Sequence, residues 1–202
     1  MVEFFENGGA FMWPILGVLV IGLAFVGERL YHLIRAMKTK FDFAVSVASE
    51  IDSKGFDVAR KTCEENVGPV ANLCYNALEV ADQGAEVSEK TIEQTAGIEL
   101  SALEKNMTWI SLCIATAPML GFLGTIAGMI VAFGQIAAAD NISPSIVAEG
   151  IGQALNTTAF GLVVAVILQF GQNIVMFIID NIVVTLQKST TVVLQSIAKK
   201  NK

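Results

Sequence analysis

The sequence predicts an all-α integral membrane protein with three transmembrane helices and a helical region outside the bilayer. Three observations carry that prediction. Of 202 residues, 53% are apolar and only 16% charged, against roughly 25% charge in an ordinary soluble domain. Residues 7–27, 106–139 and 150–179 contain no Asp, Glu, Lys or Arg, and each run exceeds the ~18 apolar-rich residues of a membrane span. The charge is gathered in residues 28–105 and in the tail, so the average conceals a lipid-facing phase and an aqueous one. This patterning excludes disorder, a collagen repeat and a small disulfide scaffold.

In chain order the segments are an N-terminal segment (1–9), a first span (10–36), a charged helical region (37–105), a second span (106–136), a loop (137–146), a third span running on past the bilayer (147–184) and a tail (185–202). The first span is longer than a signal-peptide core and lacks a small-residue cleavage site, which reads as a retained anchor. Arg29, Arg35, Lys38 and Lys40 flank its far end, whereas only Glu3 and Glu6 flank its near end. The positive-inside rule therefore places the N-terminus outside the cytoplasm. Three spans then put the C-terminus inside, in agreement with Lys188, Lys199, Lys200 and Lys202, while the 137–149 stretch has Asp140 and Glu149 without a cation.

Residues 41–104 read as successive helices broken at Gly55, at Gly68-Pro69 and at Gly84. The fourth begins near Ser88; its Ile92, Ala96, Leu100 and Leu103 recur at helical spacing and lead without a break signal into span two, so one continuous rod is expected. The charge-free run 106–139 is by itself ~51 Å of helix, longer than a ~30 Å hydrocarbon core. Asn141-Ile-Ser-Pro144 is the clear loop signal, with Pro144 at or before a helix start. Spans two and three should form a hairpin.

Candidate functional residues lie inside the spans. Span two carries Gly121, Gly124 and Gly128, a small-residue face that serves either close helix packing or a pore wall. Pro118 frees a backbone carbonyl and marks a bend. On span three Ala154, Thr158, Gly161, Ala165, Gln169 and Gln172 step by three or four, while Leu155, Phe160, Val163, Val164 and Ile167 mostly take other faces. Polar side chains at membrane depth face a bundle interior or a wet path, and a Thr hydroxyl both donates and accepts. The competing reading is Thr bonding its own helix backbone. Because Thr125 on span two matches Thr158, an interface or pore is favoured. Neither span has a mid-membrane carboxylate, so a proton relay needs a partner's acid.

Other classes find no support. A net charge of −6 without a basic stripe argues against nucleic acid. Cys63, Cys74 and Cys113 lack metal or redox spacing and read as reduced small hydrophobes. There is no phosphate loop and no catalytic set for the single histidine, so neither enzyme, cofactor nor metal is expected.

Ala117-Pro-Met-Leu-Gly-Phe-Leu-Gly-Thr-Ile-Ala-Gly-Met-Ile130, Ala154-Leu-Asn-Thr-Thr-Ala-Phe-Gly-Leu-Val-Val-Ala-Val166 running toward Asn173, and Glu28-Arg29 at the end of span one together resemble the MotA/TolQ/ExbB family, in its three-span ExbB/TolQ branch. The resemblance covers the chain in order. It implies a homopentamer in the bacterial inner membrane, its second and third spans lining a pore around two copies of a single-span ExbD/TolR-like partner with a membrane Asp. A TonB/TolA-like protein would be a further partner. The implied work is conversion of proton flow into rotation or force that energises transport or envelope processes. By position, Thr125 and Thr158 resemble the family's threonine ring, Pro118 its span-two proline, Asn173 its polar residue toward the cytoplasm, and Glu28 with Arg29 its span-one charge pair. One departure is Gln153, where much of the family has Glu; Glu149 stands one turn earlier, and sodium coupling becomes an alternative to protons. A passive membrane scaffold is the alternative from another class. A self-sufficient transporter is disfavoured by the absence of internal repeats.

Overall fold

In the computed structural model, residues 8–36, 41–138 and 144–200 are described; Glu3, Glu6, Lys38, Lys40, Asp140, Asn141 and Lys202, on which part of the topology argument rests, lie outside them. The chain is helical: α1 (Met12–Ala36), α2 (Phe41–Lys54), α3 (Phe56–Glu64), α4 (Pro69–Glu79), a 3-10 turn (Ala81–Gln83), α5 (Ala85–Leu103), α6 (Met107–Ala138) and α7 (Pro144–Lys200). Three of these helices are long and apolar enough to cross a membrane. Contacts divide the chain into two units, Met1–Glu28 with Asn106–Ile174 and Arg29–Lys105 with Val175–Lys202.

The first unit is a three-helix bundle. Gly121, Gly128 and Ala132 of α6 lie against Thr157 and Thr158, Ala154 and Gly150 of α7, so the two helices run antiparallel. Gly22 faces Leu168 and Val26 faces Gly171, so α1 runs parallel to α7. Ile15, Cys113, Ala117, Val164 and Leu168 form the buried centre. Val164, expected on a face away from the packing stripe, is 0% exposed. The buried face of α7 is Ala154, Thr157, Gly161, Val164 and Leu168, one residue around the helix from the expected polar stripe. In lipid such contacts hold by close packing rather than by release of water. Helix α6 continues through Pro118.

The second unit is built from sequence-local helices. On α2 the apolar residues Ala44, Val47, Ala48 and Ile51 recur at helical spacing and are all buried. Gly55 (φ 93°, ψ 177°) and Gly84 (φ 107°, ψ 161°) precede α3 and α5 in a region of backbone space open essentially to glycine alone. Each serves both sides of its break: the Gly55 amide closes the end of α2 on the Glu50 carbonyl at 3.1 Å and the Gly84 amide bonds the Ala81 carbonyl at 3.2 Å, while their carbonyls accept the first bonds of α3 and α5. The α7 segment of this unit buries Val175, Ile179, Ile182, Leu186, Ser189, Val193 and Ser196, an alternation of fours and threes that keeps one stripe inward. Ser189 satisfies its hydroxyl on the Thr185 carbonyl at 2.8 Å. Lys200 donates to the carbonyl of Ile51 at 2.6 Å, at the C-terminal end of α2 where carbonyls lack helical partners and a cation is favoured. Cys63 and Cys74 are free and buried, and contact with Cys63 together with burial pushes the Cys74 thiol up, which keeps it protonated.

The expected continuous rod is interrupted. Helix α5 ends at Leu103 and α6 begins at Met107. Between them Asn106 takes φ +66°, a conformation no helix interior can hold.

Candidate functional site

The hairpin of α6 and α7 is assembled by residues too small to hold it apart. A Cβ placed on Gly121 would lie 3.0 Å from the Thr157 carbonyl oxygen and 3.1 Å from the Thr158 Cα. On Gly161 it would lie 2.6 Å from the Ala117 carbonyl oxygen. Gly124 meets the Thr157 hydroxyl and Phe11, and Gly128 meets the Ala154 methyl. The glycines of both spans therefore bring backbone against backbone, the arrangement that lets helices associate in lipid.

That approach gathers three hydroxyls and two carbonyls. The half-buried Thr125 and Thr158 hydroxyls hydrogen-bond each other across the interface. Thr125 also reaches the Ala154 carbonyl at 3.1 Å and the Gly121 carbonyl at 3.3 Å. Thr158 reaches the same Gly121 carbonyl at 3.1 Å. The buried Thr157 donates to Ala154 at 2.7 Å, with Gly121 at 3.4 Å. Each hydroxyl has one proton to give and can rotate. The pair can thus run from Thr158 through Thr125 to the Ala154 carbonyl, or from Thr125 through Thr158 to the Gly121 carbonyl. Reversal of direction breaks no helix; with both hydroxyls bonded inward the pair offers an acceptor, and a hydroxyl that rotates off its carbonyl offers a donor instead.

The other expected residues are placed elsewhere. Gln153 is exposed, with its amide beside Gly9. Glu149 is exposed, and Asn173 is exposed and accepts from Gln169 at 3.2 Å. At 1.5 Å per residue Asn173 lies ~22 Å along α7 from Thr158, and Glu149 ~14 Å the other way. Gln172 joins α7 to α6 through Ser111 at 2.7 Å. Glu28 accepts from Asn106 and Arg29 donates to the Ala102 carbonyl. Thr157 is the residue that sequence reasoning missed. Thr157 and Thr158 fit the spacing from Ala154 equally well, and which of them turns inward is set by the glycine contacts of α6.

Helical spans, a glycine-tight hairpin and a hydroxyl cluster within it define a polytopic membrane protein with a polar element built into its helix interface. The chain belongs to the MotA/TolQ/ExbB proton channel family, whose model matches residues 64–188. It is similar to an ExbB homolog in biopolymer transport from Methanothermobacter thermautotrophicus, 27% identical over 169 residues that make up 83% of this chain and 60% of the relative. A Synechocystis ExbB-like protein is 27% identical over 172 residues, 82% of this chain and 66% of the relative. The Vibrio cholerae biopolymer transport protein exbB1 is 26% identical over 166 residues, 78% of this chain and 71% of the relative. The chain thus spans about two thirds or less of the length of the first two relatives.

Proposed function

We propose that this ExbB-like chain is the pore-forming subunit of a proton-driven motor in the bacterial inner membrane, with its N-terminus periplasmic and its C-terminus cytoplasmic. Five copies surround two copies of a single-span ExbD/TolR-like partner, and the partner's membrane Asp carries the proton. Rotation or force then reaches a periplasmic load through a TonB/TolA-like protein. The observation that carries this reading is the Thr125–Thr158 hydroxyl pair at the hairpin interface. Its glycine packing accounts for assembly alone, whereas reversible hydroxyls are what a neighbouring carboxylate needs when it alternates between charged and neutral.

The magnitudes are compatible. A unit charge falling through 100 mV releases ~2.3 kcal/mol, and an unpaired charge at mid-membrane costs ~2.5–3.5 kcal/mol on insertion scales. An Asp that is neutral against apolar wall and ionised against hydroxyls therefore has its position biased by the gradient. Glu149 and Asn173 mark the outer and inner approaches of the path, and Gln153 supplies hydrogen bonding where a Glu would supply charge. The set of hydroxyl and carbonyl oxygens also favours a hard cation, so a sodium gradient is the second driving force to test.

The first experiment is the native mass of the detergent-extracted complex with and without a co-expressed single-span partner. Five copies alone, and five plus two with the partner, are expected; a monomer or dimer indifferent to the partner would overturn the motor reading in favour of a passive scaffold. The second is Thr158→Val, which keeps shape and removes the hydroxyl. Assembly should persist while ion-driven output is lost; unchanged assembly and unchanged output would end the hydroxyl role.

A further inference from the structure

The break between α5 and α6 contains no glycine or proline, only Glu104, Lys105 and Asn106. Among the described residues Asn106 alone combines a side chain with positive φ, at +66°. Asn visits this region more readily than most residues, usually by bonding its own neighbourhood. Asn106 is held from afar instead. Its side-chain amide donates to Oε2 of Glu28 at 2.9 Å, across 78 residues of sequence. Its backbone carbonyl meanwhile accepts from the amides of Trp109 at 3.1 Å and Ile110 at 3.4 Å, the first bonds of α6. The Trp109 ring stacks on Phe25, with centroids 6.3 Å apart, one turn before Glu28 on α1. Glu28 thus grips the residue from which span two starts, in a part-buried setting where a charged acceptor strengthens the bond.

We propose that Glu28 is a positioning residue, whose carboxylate holds Asn106 in the left-handed conformation and so fixes the start of span two, and that this is the work of the carboxylate in the span-one charge pair. Arg29 has a corresponding task at the end of α5. It is 4% exposed, and its Nη1 donates at 3.2 Å to the carbonyl of Ala102 in the last helical turn. Carbonyls there have no helical donor, and a cation is favoured. Glu28 thus acts on the side chain of the residue that opens α6, and Arg29, in its own unit, on a carbonyl of the last turn of α5.

The test is local hydrogen exchange of the detergent-extracted full chain, read at the amides of residues 107–110, and it does not depend on what the protein drives. Glu28→Gln keeps an acceptor for the Asn106 amide but an uncharged one, and should raise exchange by no more than about threefold, whereas Glu28→Ala should raise it about tenfold or more, the loss expected for one hydrogen bond to a charged group. Adding Asn106→Gly to Glu28→Ala should restore protection, because glycine takes this φ without a side-chain tether. If Glu28→Ala does not accumulate, the same double variant should accumulate. Exchange in Glu28→Gln as fast as in Glu28→Ala would overturn the proposal. So would a double variant no better protected, or no better expressed, than Glu28→Ala.

Discussion

Gly161 shows how a single hydrogen atom at Cα sets a helix interface. A Cβ there would stand 2.6 Å from the Ala117 carbonyl oxygen and 3.2 Å from the Gly121 Cα, and both are backbone atoms that cannot swing aside. Gly161→Ala is therefore expected to push α6 and α7 apart and to cost ~1–3 kcal/mol as overpacking, read as a lower unfolding midpoint of the detergent-extracted protein. At the other end of the polarity scale, Thr62 donates to Oε2 of Glu50 at 2.7 Å, and Lys54 approaches Oε1 at 3.3 Å. The Thr62 bond, with help from Lys54 and against the effect of burial, holds the Glu50 carboxyl below its ordinary value of 4.5. A carboxylate whose pKa is lowered by folding stabilises the fold above its unfolded value and loses that contribution as pH falls through the folded value. Thr62→Val should raise the Glu50 pKa. The part of its destabilisation that depends on the Glu50 charge should be full at neutral pH and fade as the pH falls below 4.5 through the folded value, which denaturation midpoints at pH 7 and pH 3 would show.

At the scale of elements, backbone conformation and helix propensity give substitutions of opposite sign at α5. Gly84, just before the helix, has φ 107° and nothing within 4 Å of the point where a methyl carbon would sit, so the demand for glycine comes from the backbone alone. Gly84→Ala should cost ~1–3 kcal/mol. Gly97, inside the helix and equally open, has no such φ, and Gly97→Ala should gain ~0.5–1 kcal/mol. Thermal melts of the two variants check both signs. The three apolar spans and the breaks at Gly55, Gly68 and Gly84 were legible because run length and glycine are local signals. The break at 104–106 was not, because Glu-Lys-Asn carries no local stop and Asn106 is held by Glu28 from another helix. The hydroxyl pair was legible as two threonines on facing spans. The inward turn of Thr157 and Val164 was not, since neighbouring positions on a helix are separated only by the rotation that the partner's glycines impose.

For the whole molecule, the charges and the bundle geometry constrain one another. In the membrane bundle α1 runs parallel to α7 and antiparallel to α6, as Gly22 against Leu168 and Gly124 against Phe11 require. The end of α1 that carries Glu28 and the Gln172 end of the bundled α7 segment therefore fall on one side, together with the start of α6. The residues that join α6 to α7, with Asp140 and no Lys or Arg, follow the opposite end. In the proposed orientation, the cations beyond span one and in the tail put that side in the cytoplasm. Val67, in the charged region that joins spans one and two, is 91% exposed. The native Cys63, Cys74 and Cys113 are buried, so they contribute little background to thiol labelling. Val67→Cys should react with a membrane-impermeant maleimide only after cells are permeabilised, whereas Asn141→Cys should react in intact cells. The reverse pattern would turn the bundle over and, with it, the direction in which a proton moving down its gradient would pass Thr125 and Thr158.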